Sequence, residues 1–249
     1  MDAVGEVFVR LPDPERGAQD RAYVPELGLL DAGGPVAAPT TWGSVIRALL
    51  GIRSMWFGVL ALTLSSFLLG ALGAWGIEFL KRVHGLSASE ASAGAPAIGA
   101  GAALGLLGGG ILADRLLERG VTCARVYVAA FASIAASVFL LPAVLTSSLP
   151  LALVLLFVGT TCLTLPVALA EALLSDVVPY ELRGRAASVR AIVRSLAALS
   201  PWIVGQLSDA TDLQTALAVV APMYAAGGLV MLLAARTYPR DLAAACART

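Results

Sequence analysis

Six stretches of this chain stay apolar for longer than a helix in a water-soluble core requires. They cover about 54–80, 88–113, 123–146, 149–177, 185–208 and 214–237. A helix needs about 20 mostly apolar residues to cross a bilayer, because hydrocarbon cannot satisfy an unpaired backbone N–H or C=O. Of 249 residues, 58% are hydrophobic and 14% charged. A soluble domain carries about 25% charged residues. The expected fold class is therefore an all-α membrane protein with six transmembrane helices. Formal net charge is +0, which gives no polybasic case for nucleic acid.

The short connections set an expected orientation, since cytoplasmic loops collect Arg and Lys. One side receives Arg47, Arg53, Arg115, Arg119, Arg125, Arg183, Arg185, Arg236 and Arg240, and the other only Lys81 and Arg82. Both termini are expected in the cytoplasm, with the chain in the cytoplasmic (plasma) membrane. Lys81 is the only lysine. Together with abundant Ala, Gly and Leu, this points to a GC-rich bacterial genome. Residues 1–41 hold seven acids against three arginines and several prolines, and are expected to be a largely disordered cytoplasmic linker. The bundle is expected over 42–240, with a cytoplasmic tail at 241–249. Just ahead of the first span, Trp42, Val45, Ile46, Leu49 and Leu50 recur at helical spacing around Arg47. That pattern predicts a short helix lying on the membrane surface.

Ionisable groups inside a span are costly and tend to face a bundle interior or a wet cavity. Glu171 lies about six residues from the end of the fourth span, roughly 9 Å deep. Arg190 reaches a similar depth in the fifth span, and Arg194 sits one turn deeper on the same face. These three, with Glu78 near the outer end of the first span, are the substrate-cavity or gating candidates. The blander alternative is that Arg190 snorkels to the headgroups and Glu171 forms a structural pair. Glu90, like Glu78, is explained equally well as an interface residue. Trp56, Trp75, Tyr180 and Tyr238 fall near span ends and are expected to be interfacial anchors. In the second span, Ala97, Gly101, Gly105 and Gly109 stand four apart. Such a stripe lets a neighbouring helix approach closely.

The second-to-third connection reads Gly110-Ile111-Leu112-Ala113-Asp114-Arg115-Leu116-Leu117-Glu118-Arg119. It resembles the signature loop of the major facilitator superfamily, Gly-x-Leu-Ala-Asp-Arg-x-Gly-Arg. Gly110, Leu112, Ala113, Asp114 and Arg115 match, Leu117 replaces a glycine, and Arg119 is displaced. Asp176-Val177-Val178-Pro179-Tyr180-Glu181-Leu182-Arg183-Gly184-Arg185-Ala186 and Ser200-Pro201-Trp202-Ile203-Val204-Gly205-Gln206-Leu207-Ser208-Asp209 are similar to the tenth-to-eleventh helix region of that family. Leu11-Pro12-Asp13-Pro14-Glu15-Arg16-Gly17 and Trp75-Gly76-Ile77-Glu78-Phe79-Leu80 resemble spinster-like members.

The resemblance implies the C-terminal six-helix half of a secondary transporter, one bundle of the major facilitator fold. Such a half would move a small organic or amphipathic solute by alternating access. Family members have two bundles and this chain has one, so a second bundle is the implied partner, supplied by a missing N-terminal half or by self-association. Lipid and a small-molecule substrate are the other expected partners. The resemblance also implies that Asp114 supports a closed gate by engaging a helix start in the opposite bundle. Arg115 and Arg119 would then pair with nearby acids such as Glu118 or bind lipid headgroups. Simple positive-inside retention accounts for their charge equally well.

The competing reading is a stand-alone, non-transporting bundle that binds a partner or lipid. No P-loop supports direct ATP drive. His84 is the only histidine, and Cys123, Cys162 and Cys246 have no metal or redox spacing. No enzyme, metal or cofactor is therefore expected.

Overall fold

The computed structural model describes residues 41–121, 123–179 and 182–246. Residues 1–40 of the expected linker, Tyr180, and residues 247–249 of the expected tail lie outside the described residues. Helix α1 spans Trp42–Leu50, α2 Arg53–His84, α3 Ala88–Glu118, α4 Ala124–Leu145 and α5 Leu149–Asp176. The fifth span comprises α6 (Arg183–Ser195), a 3₁₀ turn (Leu196–Leu199) and α7 (Ser200–Ala210). The last helix, α8, runs Leu213–Cys246. Six of these units are long and apolar enough to cross a membrane. The chain is thus an all-α, multi-pass membrane protein of six spans.

Local chemistry sets the boundaries. α2 ends at Gly85, whose φ of 68° is the left-handed conformation that closes a helix. α3 opens with a capping box. The Ser87 hydroxyl accepts the Glu90 N–H, and the Glu90 carboxylate accepts the Ser87 N–H at 2.9 Å. Glu90 therefore has a local structural task. α8 is capped by Asp212, which accepts the Thr215 N–H at 2.8 Å and its hydroxyl at 2.6 Å. Those bonds, the hydroxyl foremost, hold the Asp212 carboxyl below its usual pKa.

Two observations differ from the sequence expectation. The fifth span, expected as one helix over 185–208, is interrupted at Leu196–Leu199. Pro201 has no N–H to give and sits in the first turn of α7, where that donor would be unused in any case. The last helix also continues through Asp241, past the expected start of a tail. Asp241 accepts both the amide N–H (2.8 Å) and the hydroxyl of Ser54 in the first turn of α2. The carboxylate satisfies helix-start donors that α2 cannot satisfy itself.

α5 packs against α2, α3 and α4, while α8 packs against α2 and α4. At α3 the glycine stripe decides the spacing. A Cβ on Gly101, Gly105 or Gly109 would lie 2.6, 2.0 or 2.5 Å from the carbonyl oxygens of Phe157, Thr161 and Leu165 on α5. Thr164 donates to Ala102 O at 2.7 Å across the same seam. The stripe is a packing surface. Buried polar groups tie other helices together: Ser137 donates to Ala221 O, and Tyr224 donates its hydroxyl to Leu163 O. In a medium without hydrophobic drive between helices, close packing and such bonds carry association.

α3 and the fifth span are the least covered, with 18% and 17% of their apolar windows buried against 39–50% for the other four. Leu104, Leu107 and Ile111 on α3, and Ile192, Leu196, Leu199 and Trp202 on the fifth span, stand exposed.

Candidate functional site

Glu171 on α5 and Arg190 and Arg194 on α6 come together. Arg194 donates to one Glu171 oxygen at 2.6 Å, and Arg190 lies 3.7 Å from the other. The pairing follows from register. Arg190 and Arg194 are one turn apart on α6, and both α5 and α6 pack on α2. Arg194 also lies in the last turn of α6, where the helix dipole favours a cation.

Beside the three charges is a cavity of about 420 Å³ lined by Val59 and Leu62 of α2, Glu171 and Leu174 of α5, and Ala187, Arg190, Ala191, Arg194 and Ser195 of α6. Its walls are apolar on the α2 side and cationic on the α6 side. The Glu171 and Arg194 side chains are 41% and 47% exposed, and Arg190 is only 18% exposed. Arg190 makes no hydrogen bond within the described residues. Its planar fork holds five N–H donors, and two guanidiniums against one carboxylate leave a net positive charge. The arrangement can receive an anionic or strongly polar group while apolar atoms rest on Val59, Leu62 and Leu174.

Glu78 is elsewhere. At the opposite end of α2 it accepts from Lys81 at 2.8 Å and Arg82 at 2.7 Å. The segment expected as the second-to-third connection is mostly helical: residues 110–118 are the last turns of α3, and the chain leaves the helix only at Arg119. A Cβ on Gly110 would meet nothing within 4 Å. Ala113 is fully buried, whereas Asp114, Arg115, Glu118 and Arg119 are exposed. None of these four forms a side-chain hydrogen bond or ion pair among the described residues.

Three polar links went unread in the sequence. Arg125 at the start of α4 pairs with Asp176 at the end of α5, and Tyr238 of α8 donates to the same Asp176 oxygen at 3.1 Å. Asp241 caps α2. The third link is made by Trp75, whose indole N–H donates to Pro201 O at 2.9 Å beside the broken fifth span. Its ring lies over Gly205, where a Cβ would be 3.1 Å away. The interfacial-anchor expectation is therefore corrected for Tyr238. Tyr238 is 5% exposed and its hydroxyl is engaged by Asp176, which removes the reason to seek headgroups. Trp56 likewise donates to Leu49 O at 3.0 Å.

No curated protein matches this sequence. Among the solved structures that share the fold are two of a bacterial homolog to the human lysosomal transporter Spinster. The inward-facing, occupied form aligns with a TM-score of 0.65 at 22% identity, covering 76% of this chain and 50% of that one. The inward-facing, unoccupied form aligns at 0.68 and 19%, covering 96% of this chain and 63% of that one. The chain thus spans between half and just under two thirds of the structures it matches. The Major Facilitator Superfamily model matches residues 3–199, and the chain belongs to that superfamily.

Proposed function

We propose that this chain is the C-terminal half of a secondary active transporter that moves a small organic, amphipathic solute by alternating access. The observation that carries the reading is the Glu171–Arg190–Arg194 group on the wall of a cavity with apolar residues opposite. Charged side chains at membrane depth persist where they meet a wet path or a polar cargo. In this fold class the path lies between two bundles. The sparsely covered faces of α3 and the fifth span are where a second bundle would close it.

In this reading Glu171 holds Arg194 while the cavity is empty, and a polar solute group competes for the two guanidiniums. Both termini lie in the cytoplasm, and the arginine-rich end of the bundle faces it. Asp114, unpaired here, engages a helix start of the second bundle in one conformation only.

The test is counterflow in proteoliposomes. The purified chain alone is expected to give no saturable flux, and co-expression with a complementary six-helix bundle is expected to restore it. Robust uptake by the 249-residue chain as a monomer would overturn the half-transporter reading.

A further inference from the structure

We propose that α1 and the adjoining ends of α2 and α8 form a docking surface for an anionic phospholipid leaflet. α1 is apolar on two sides. Val45 and Leu49 are 0% and 1% exposed in the core, whereas Trp42, Ile46 and Leu50, one turn apart, are 60%, 46% and 60% exposed. The first side seats the helix on the bundle, where the Trp56 indole bonds Leu49 O. The second side is left uncovered.

Position fixes what covers it. α1 leads through Gly51 and Ile52 directly into the membrane-crossing α2. It therefore lies at the level where acyl chains give way to headgroups. An apolar stripe there inserts into that boundary.

Charge complementarity selects the headgroup. Arg47, Arg53, Arg236 and Arg240 are all exposed, and none forms a side-chain hydrogen bond or ion pair among the described residues. The Asp241–Ser54 bonds draw the end of α8 onto the start of α2. This sets Arg53 and Arg240, the sequence neighbours of that joined pair, at one corner, with Arg236 one turn before Arg240. Among the described residues the acids nearby are engaged: Asp241 by Ser54, and Asp176, which Tyr238 of α8 reaches, by Arg125. Four exposed guanidiniums therefore have no acceptor among the described residues, and phosphate oxygens are their matching partners. This surface is separate from the Glu171 cavity and does not depend on transport.

The full chain reconstituted in nanodiscs of mixed phosphatidylcholine and phosphatidylglycerol tests the proposal in two ways. A nitroxide on Ile46→Cys should be accessible to oxygen and shielded from a water-soluble nickel chelate. Native mass spectrometry should show phosphatidylglycerol retained in preference to phosphatidylcholine. Replacing Arg47, Arg53, Arg236 and Arg240 together by Gln should lower that preference by at least about fivefold, the effect of one basic residue at an anionic surface. Replacement of all four by Lys should keep most of it. A water-exposed label, or a preference unchanged in the Gln variant, overturns the proposal. Should the Gln variant fail to fold, loss of the wild-type preference at high salt supports the proposal, and salt-insensitive retention overturns it.

Discussion

Arg194 and Arg125 each face a carboxylate, yet the two pairs should behave differently when broken. Glu171 and Arg194 are 41% and 47% exposed, while Asp176 and Arg125 are 29% and 28% exposed and share a tyrosine hydroxyl. An ion pair open to water is worth about 0–1 kcal/mol. Glu171→Ala should therefore barely move the melting temperature in detergent, while changing solute handling in an assembled transporter. Asp176→Ala leaves Arg125 and Tyr238 without their acceptor, and should cost about 1–3 kcal/mol. It should melt clearly lower in the same fluorimetric assay; equal melting of both variants would refute the distinction. At Arg194 itself, Ala should reduce counterflow more than it reduces expression. Lys should rescue only part, because a point charge replaces a planar fork. The Glu171–Arg194 partnership was half legible. Depth alone singled out Glu171, Arg190 and Arg194, because charge in hydrocarbon is conspicuous. The Arg125–Asp176–Tyr238 group was hidden. Each member lies near a span end, where charged and aromatic residues are ordinary, and the partners are 51 and 62 positions apart.

Among the elements, α3 is the most exacting. Gly105→Ala would push a methyl to 2.0 Å from the Thr161 carbonyl, whereas at Gly108 it would meet nothing within 4 Å. The first substitution must separate α3 from α5 and should cost about 1–3 kcal/mol or more. Size-exclusion profiles should show a reduced monodisperse fraction for Gly105→Ala and a wild-type profile for Gly108→Ala. The stripe was readable from its spacing, but its partner was not, since any helix could have filled it. Span lengths were readable for a simpler reason: the bilayer imposes them. The break at Leu196–Leu199 was not, because hydropathy is blind to hydrogen-bond register and Pro201 fits equally well in a first turn. Trp75 pins that break through Pro201 O. Trp75→Phe keeps an aromatic ring near Gly205 but loses the bond, and should speed amide hydrogen exchange over 196–204. Unchanged exchange there would mean that the indole bond does not restrain the break.

At the scale of the whole molecule, the asymmetry of arginine and the pairing of helix ends make one topological statement. Accessibility labelling of single cysteines in a background lacking Cys123, Cys162 and Cys246 should find positions 84 and 147 outside and 118 and 182 inside. The reverse pattern would invert the proposed orientation. The bond between Asp241 and Ser54 spans 187 residues of sequence, and this separation has a consequence in time. α2 leaves the ribosome well before α8. At about 5–20 residues per second, its first turn waits roughly ten to forty seconds for the carboxylate that completes it. Through that interval the first turn of α2 keeps donors that no later part of the chain has yet reached. A chain that stalls before Asp241 leaves those donors open at a place far from where it stopped.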